Sequence, residues 1–317
     1  MTKTEAAPTL IAKLSAECIG TMILCFTVNN GILGGSPLAA LAIASSLMVA
    51  VYSLGSVSGA HLNPAVTLGV FLAGKLGGPG GGIPLLEAAL YPVMQLLGGA
   101  ASSVLASWLW STDLGGGFSA DAGGGMLARV SGKLGNGGRF SNARLFEGEV
   151  LYTMMLVFVV LNVATCNDVP GGNSYFGLAI GFVIAAAASA EAVISGTCLN
   201  PAVTFGIFVS RPAKNAEYLP LYWGAQVVGS CLAVAMFYGC RLHLFKGRNV
   251  PSMASKLLAE FFGTFMLVVT VCLVVAQGSQ APVIGIIGIA SSLMCMIYSL
   301  WNVSGANFNP AVSFGLL

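Results

Sequence analysis

The chain alternates between long apolar stretches and shorter polar connections. A helix needs about 20 apolar residues to cross a bilayer, and eight stretches come close to that length or exceed it. The pattern therefore predicts eight membrane-spanning helices. They lie at residues 14–33, 38–57, 83–110, 149–166, 175–194, 219–240, 256–276 and 283–303.

Two polar segments interrupt this series. Residues 111–144 contain three runs of glycine together with several basic residues, and such a segment cannot bury a core. We predict one long polar loop there. Residues 241–255 contain Lys246, Arg248 and Pro251, a composition that predicts a linker.

Composition places the chain in a membrane. Of its 317 residues, 56% are hydrophobic and 8% are charged, and the mean hydropathy is +0.87. Soluble domains carry about 25% charged residues, so we predict an integral multi-pass membrane protein whose surroundings are a lipid bilayer. A net charge of +2 gives no nucleic-acid-binding footprint. The eight cysteines lie mostly in apolar stretches without a CxxC pair, which indicates buried thiols.

A motif of twelve residues occurs three times. It reads SGAHLNPAVTLG at 58–69, SGTCLNPAVTFG at 195–206 and SGANFNPAVSFG at 304–315. Each copy follows two predicted spans, and the first span of each pair carries a glutamate with a threonine four residues later. These pairs are Glu17 and Thr21, Glu149 and Thr153, and Glu260 and Thr264. The shared glutamate and motif define three repeated units.

Successive units are predicted to alternate in orientation. A complete unit crosses the membrane three times, an odd number, so the second unit is inverted relative to the first. We therefore predict one complete body at residues 1–245, with halves at about 10–112 and about 145–242, and a partial additional repeat at 246–317. The third unit resembles the first most closely, because IASSLM at 43–48 recurs at 289–294.

The Asn-Pro-Ala sequence in each motif predicts the start of a short helix. Asparagine is a good N-cap, and proline suits the first helical turn, where its missing N–H costs nothing. Inversion makes the first two short helices meet N-terminus to N-terminus at mid-membrane. The two positive dipole ends would attract the oxygen of water and repel cations, and we expect each asparagine amide to donate to that oxygen. The motif residues are Asn63, Pro64, Ala65, Asn200, Pro201 and Ala202, with Asn309, Pro310 and Ala311 in the third unit.

The loops before the motifs are expected to turn carbonyl groups toward a lumen. They contain glycine, and irregular backbone is tolerated at membrane depth where it lines a wet cavity. The residues concerned are Gly59, Ala60, His61, Gly196 and Cys198. We expect His61 to pack its loop rather than bind metal, and the thiol of Cys198 to approach the lumen.

The motif SGAHLNPAVT, the paired Asn-Pro-Ala sequences and the Glu-x-x-x-Thr of each half resemble aquaporins and aquaglyceroporins, the major intrinsic protein family. The resemblance covers about 10–240 as a full unit and 250–317 as a partial one. It implies an all-α membrane fold with six transmembrane helices and two half-helices, plus here two further transmembrane helices and a third Asn-Pro-Ala segment. It also implies homotetramers with one pore per subunit, and hydrogen bonds from the motif loops to Glu17 and Glu149.

The same resemblance assigns the narrowest point of the pore to Ile43, Ala188, Thr197 and Val203, counted from the two motif asparagines. Water-selective relatives have an aromatic residue, a histidine and an arginine at this filter, and Val203 takes the place of the arginine. An apolar filter without fixed charge is expected to pass water and small uncharged solutes such as glycerol, urea or ammonia. An apolar ring that dewets and hinders water is the opposite expectation.

Several alternatives stay open at this point. A coupled secondary transporter shares inverted repeats, and a non-conducting structural membrane protein is compatible with the missing arginine. No nucleophile–base pair, phosphate loop or metal-ligand cluster is visible, so neither an enzyme nor a cofactor nor a metal site is predicted. Glu191 lies where the other units have Leu54 and Leu300. It is expected either at the pore mouth or among the lipid headgroups.

Overall fold

The computed structural model of the protein describes residues 7–110, 140–166, 173–210, 216–278 and 282–317, and the regular secondary structure in these ranges is helical. In chain order the helices are α1 (Leu10–Leu33), α2 (Ala39–Ser58), α3 (Pro64–Lys75), α4 (Leu85–Leu109), α5 (Asn142–Ala164), α6 (Phe176–Glu191), α7 (Pro201–Ser210), α8 (Tyr218–Cys240), α9 (Leu242–Phe245), α10 (Met253–Ala276), α11 (Pro282–Ser304) and α12 (Pro310–Gly315).

Seven of these described helices are long and apolar enough to cross a membrane. The exception among the eight predicted spans is the fifth, predicted at 175–194, which forms the 16-residue helix α6. That helix ends at Glu191, whose carbonyl accepts hydrogen bonds from the N–H groups of both Ile194 and Ser195. The chain then turns into the second motif loop, so the predicted span is too long at its C-terminal end.

Two halves enclose the pair of half-helices. In the first half α1 packs on α4, and in the second half α5 packs on α8, while α2 and α6 join the halves to each other. The half-helices α3 and α7 lie inside, each against helices of both halves. The protein is an integral multi-pass membrane protein with an inverted repeat, as the apolar stretches and the motifs predict.

The third unit packs on the outside of the second half. Helix α11 contacts α6 and α5, and α10 contacts α6 and α8. The sequence repeat nevertheless makes α10 and α11 the counterparts of α1 and α2, and the two pairs have different surroundings. Phe262, Met266 and Cys295 are at most 2% exposed, whereas their counterparts Ile19, Ile23 and Val49 are 49%, 46% and 56% exposed. One helix pair is thus covered by protein, whereas its repeat is exposed on the surface of the chain.

The long polar loop was predicted to end at residue 144, but the next helix begins before that residue. Residues 111–139 lie outside the described ranges. Helix α5 already begins at Asn142, seven residues before the predicted start of the fourth span. Ser141 is its N-cap and accepts a hydrogen bond from the N–H of Arg144. Capping by a polar residue starts the helix before the apolar stretch begins.

The segment predicted as a linker, 241–255, also includes a buried residue that holds two parts of the protein together. Its first residue, Arg241, is 1% exposed. The Nε atom donates to Oδ1 of Asn162 at 2.9 Å, and Nη2 donates to the carbonyl of Ser299 at 2.9 Å and to Oδ1 of Asn302 at 2.8 Å. A buried guanidinium needs such acceptors, and here they come from both α5 and α11. Arg241 therefore fastens the third unit to the second half.

We expect Arg241→Ala to loosen this attachment. The substitution leaves the three acceptors without their donor, at a cost of about 3 kcal/mol to the free energy of unfolding. The unfolding temperature in detergent should fall by several degrees. Lys246→Ala, at an exposed position five residues on, should leave it unchanged, and equal unfolding temperatures for the two variants would contradict the fastening role.

Candidate functional site

The two central motifs are bonded to each other across the middle of the protein. Nδ2 of Asn63 donates to the carbonyl of Leu199 at 2.9 Å, and Nδ2 of Asn200 donates to the carbonyl of Leu62 at 2.9 Å. Each asparagine Oδ1 caps its own half-helix by accepting from the N–H two residues later, at 2.8 Å. One N–H of each side-chain amide is therefore committed to the opposite loop, and the second N–H is left for the lumen. The spacing of the motifs in the sequence does not predict this reciprocal pairing.

Glu17 holds the first motif loop through both of its oxygens. Oε1 accepts from Oγ of Ser58 at 2.6 Å and from the N–H of His61 at 3.0 Å. Oε2 accepts from the N–H of Leu62 and from Nε2 of Gln95, each at 2.7 Å. Four donors on one buried carboxylate offset the cost of placing its charge in the membrane.

Glu149 repeats the arrangement in the second half. Oε1 accepts from Oγ of Ser195 at 2.9 Å and from the N–H of Cys198 at 2.8 Å. Oε2 accepts from the N–H of Leu199 at 2.8 Å and from Nε2 of Gln226 at 2.9 Å. The two glutamates lie on repeated helices and meet the same four kinds of donor, which is the loop support that the resemblance implies.

The hydrogen bonds to the two motif loops hold a backbone conformation that is otherwise unfavourable in free energy. Alternate residues have left-handed φ angles, with Ala60 at 47° and Leu62 at 52° in one loop, and Thr197 at 58° and Leu199 at 51° in the other. Such a conformation costs a non-glycine residue about 1–2 kcal/mol. The glutamate bonds to the neighbouring N–H groups stabilise it, and the amides of the opposite motif fix the carbonyls of Leu62 and Leu199.

A cavity of about 630 Å³ runs past both motif asparagines. All four assigned filter positions line it, and so do all five loop residues predicted to turn carbonyls toward a lumen. These nine are Ile43, Ala188, Thr197, Val203, Gly59, Ala60, His61, Gly196 and Cys198. None of its described lining residues is Asp, Glu, Lys or Arg. The wall therefore offers carbonyls, amides and apolar side chains to a passing molecule, without fixed charge.

Val203 places an apolar side chain at one of the assigned filter positions. It lies in the first turn of α7, is 5% exposed, and belongs to an apolar cluster with Cys25, Val28 and Tyr222. Ile43 of α2 packs against the same cluster. This assigned filter position therefore holds a packed side chain that offers no hydrogen bond.

Glu191 is at neither of its two expected places. Its side chain is 0% exposed and is not among the residues that line the cavity, so the headgroup position and the pore-mouth position are both wrong. Neither carboxyl oxygen has a hydrogen-bond partner in the described part of the chain. Gly148 makes room for it, because a Cβ there would be within 2.2 Å of Oε2. The sequence alone does not show that Gly148 lies beside the carboxyl of Glu191, so it could not predict that this carboxyl is buried.

His61 packs its loop against α3 and α4. Its side chain is 8% exposed, Nδ1 lies 3.2 Å from Oγ1 of Thr67, and its ring meets that of Tyr91 edge to face at 5.5 Å. The described residues contain no group of three or more His, Cys, Asp or Glu side chains arranged to hold a metal ion.

The third motif does not take part in the cavity. Asn309 caps α12 through the N–H of Ala311 at 2.9 Å, as in the other two motifs. Yet the described side chains of α12 include no buried one, and the lining of the cavity includes none of them. The contribution of the third unit to that lining is Ile284 of α11.

An inverted pair of helical halves around two opposed half-helices and a central cavity is the architecture of a membrane transport protein, and comparison with known proteins identifies the family. The model of the major intrinsic protein family matches residues 5–187 and again 136–316. The chain belongs to this family. The second match runs through the second and third units, in agreement with the repeat.

Individual relatives agree with this assignment. Aquaporin Z of Brucella melitensis is 30% identical, over 73% of this chain and 98% of its own length. Aquaporin AqpM of Methanothermobacter marburgensis is 30% identical, over 67% of this chain and 81% of its own length. The X-ray structure of the aquaglyceroporin from Plasmodium falciparum has the same fold, with a TM-score of 0.53 at 19% identity, covering 73% of this chain and 96% of that one.

Proposed function

We propose that the protein is a passive channel for water and small uncharged solutes, with glycerol, urea and ammonia as the solutes that its filter suits. The observation that carries the proposal is the cavity of about 630 Å³ that passes both motif asparagines and all four filter positions. The names of the relatives, aquaporin and aquaglyceroporin, support both water and glycerol as permeants.

The chemistry of the wall favours neutral permeants. Half-helices α3 and α7 direct their positive ends at the middle of the cavity, which opposes cations. The free N–H of each motif amide and the loop carbonyls replace the hydrogen bonds that a small polar solute loses on leaving water. An apolar filter without arginine has no side-chain donors that a passing solute must satisfy at the narrowest point. Solutes larger than water are therefore not excluded because they would leave such donors unpaired.

The test is stopped-flow light scattering on proteoliposomes, with water, glycerol and urea measured in the same preparation. We expect all three to permeate faster than through empty liposomes. Vesicles that shrink no faster than empty ones for any solute, although the protein is folded, would instead support the non-conducting structural protein.

The thiol of Cys198 offers an independent check of the lumen. It is 5% exposed and belongs to a residue that lines the cavity, so a small thiol reagent attached there should block the flux. Cys198→Ser should restore flux in the presence of the reagent. Cys231→Ser, which removes an exposed cysteine of α8, should leave the block intact, and the reverse pattern would place the reactive thiol outside the lumen.

A proton-coupled transporter is the second candidate, and Glu191 is the observation that favours it. A fully buried carboxyl with two unpartnered oxygens is the type of group that proton-coupled transporters use. Solute uptake that follows an imposed pH gradient, and that Glu191→Gln abolishes, would decide for this candidate. Uptake that follows the solute gradient alone would decide against it.

Domain organisation and assembly complete the proposal. We infer that residues 1–245 form the channel unit and 246–317 a partial repeat, because Ile284 is the one described lining residue that lies beyond position 245. Flux through a chain shortened after residue 245 tests this division.

We also infer homotetramers that associate through surfaces other than the face of α5 and α6, since α10 and α11 cover that face. Native mass spectrometry that finds only single chains would contradict the assembly.

A further inference from the structure

Helix α6 ends one helical turn earlier than its counterparts in the other two units. The Ser-Gly pair that opens each motif aligns Ser195 with Ser58 and Ser304. Helices α2 and α11 both continue to that serine, whereas α6 ends at Glu191 and residues 192–195 form a turn. The repeats therefore differ in conformation at this point, although they share the motif that follows.

The turn at 192–195 lies between two of the assigned filter positions. Ala188 precedes it and Thr197 follows it, and both line the cavity together with Ala192 of the turn itself. One turn of α-helix rises about 5.4 Å, so winding or unwinding this segment changes how the wall runs from one filter position to the other. The contact that keeps the turn unwound thus affects the shape of the filter.

Two carbonyls at the end of α6 accept hydrogen bonds from the third unit. Of the last four carbonyls, which have no partner within a helix, the first and the last accept from N–H groups of the turn at 192–195. The middle two, those of Ser189 and Ala190, accept from Nε2 of Gln277 at 2.8 Å and 2.9 Å. A longer contact of the same nitrogen, at 3.2 Å, goes to the carbonyl of Leu273 in α10. Gln277 directly follows α10, so the third unit caps a helix of the second half.

In α2 the corresponding carbonyls have backbone donors instead. They belong to Tyr52 and Ser53, which lie within the helix, so N–H groups of the following turn are their partners. In α6 the N–H of Val193, which would be such a donor, has no acceptor among the described backbone groups. The end of α6 thus has two alternative sets of donors, the backbone of its own next turn or the side chain of Gln277.

The third unit packs closely against α6, which fixes the position of Gln277. Gly288 of α11 lies on Ser189, and a Cβ at Gly288 would overlap the Cβ and Oγ atoms of that serine. Sγ of Cys295 donates to the carbonyl of Ala179 at 3.1 Å. Small residues allow such close approach of two membrane helices. The helix pair of the third unit therefore holds the amide of Gln277 at the end of α6.

We propose that Gln277 is a positioning residue of the pore. By capping Ser189 and Ala190 it keeps the turn at 192–195 out of the helix, and this turn sets the path of the wall to Thr197. The third unit thereby acts on the filter without contributing a filter residue. The effect on selectivity rests on the proposed function, whereas the capping of α6 does not depend on conduction.

The test is amide hydrogen exchange of the full chain in lipid nanodiscs, resolved to single residues by mass spectrometry with electron-transfer fragmentation. Gln277→Met keeps the length of the side chain and removes its N–H donors. We expect α6 then to extend by one turn, as α2 does. The N–H of Val193 would donate to the carbonyl of Ser189, and its exchange should slow at least about tenfold. Removal of a contact that only stabilised the fold would speed this exchange.

Two control variants separate capping from general packing. Gln277→Lys keeps a donor at the carbonyls, since lysine near a helix C-terminus can bond to them, and should leave the exchange of Val193 unchanged. Trp301→Phe removes the hydrogen bond of 2.9 Å from Nε1 of Trp301 to the hydroxyl of Tyr175, at the other end of α6, and should also leave it unchanged. Faster or unchanged exchange in Gln277→Met, or equal exchange in Gln277→Met and Gln277→Lys, overturns the proposal.

Stopped-flow flux measures the effect on the filter. The ratio of glycerol to water permeability does not depend on the amount of folded protein. We expect Gln277→Met to change this ratio at least about threefold, because the wall between two filter positions is rewound, and Trp301→Phe to leave it unchanged. Slower amide exchange with an unchanged ratio would overturn the role in positioning the filter. If the unchanged chain passes no solute, the proposed function fails, and the exchange measurements alone decide the capping of α6.

Discussion

Val203→Arg is expected to reduce glycerol and urea permeation at least about tenfold while water flux persists. Val203 is 5% exposed and lines a cavity whose described lining has no Asp, Glu, Lys or Arg. An arginine there introduces a fixed charge, five N–H donors and a long side chain at the proposed filter. The tenfold reduction corresponds to a rise of about 1.4 kcal/mol in the barrier for the larger solutes. Stopped-flow measurements of the three permeabilities in one preparation give the result.

The matched control is Val203→Met, which lengthens the side chain without adding charge or donors. We expect it to reduce glycerol permeation less than arginine does. If both substitutions suppress glycerol equally, the width of the filter decides selectivity and the missing charge does not. If arginine changes none of the permeabilities, Val203 is not at the narrowest point and the filter assignment is wrong.

The sequence predicted the elements well because repeats and caps are local signals. The apolar stretches predicted every long helix, and the three motifs predicted the short ones at Pro64, Pro201 and Pro310. The errors lie at helix ends and in the predicted linker, where the four-residue helix α9 forms. Ser141 and Ser252 start α5 and α10 in polar sequence, several residues before the apolar stretches, because a capped helix extends beyond the apolar residues that it buries.

Contacts between distant segments were beyond sequence reasoning. The amide of Asn63 bonds to a carbonyl 136 positions along the chain, and spacing alone does not say that two motif amides exchange bonds rather than face water. The same limit applies to polar residues in apolar surroundings. Arg241 and Glu191 are both buried, yet a hydrophobic pattern in a membrane protein does not distinguish a helix face that meets protein from one that meets lipid.

The packing of the third unit shows this limit most clearly. Its helices repeat the sequence of α1 and α2, so sequence alone assigns them the same surroundings. The structure places Phe262 and Met266 at 2% and 0% exposure, against 49% and 46% for Ile19 and Ile23. Since lipid and protein interiors are similarly apolar, the same pattern is stable in both places. Specific contacts such as those of Arg241 then decide which face is covered.

Glu149→Gln is expected to abolish water flux and to lower the free energy of unfolding by about 2–4 kcal/mol. The carboxylate accepts four hydrogen bonds, whereas an amide has a single oxygen and presents its own N–H groups to the remaining donors. The left-handed conformations of Thr197 and Leu199 would lose the bonds that stabilise them. Osmotic water permeability per folded protein and the unfolding temperature measure the two effects.

Glu147→Gln, at an exposed position on the same helix two residues earlier, is the control and should change neither quantity. Glu149 supports a loop through four hydrogen bonds, so its loss is expected to remove flux together with stability. A stable Glu149→Gln variant with unchanged flux would contradict the loop-support role. The proton-coupled candidate rests on Glu191, and Glu149→Gln does not test it.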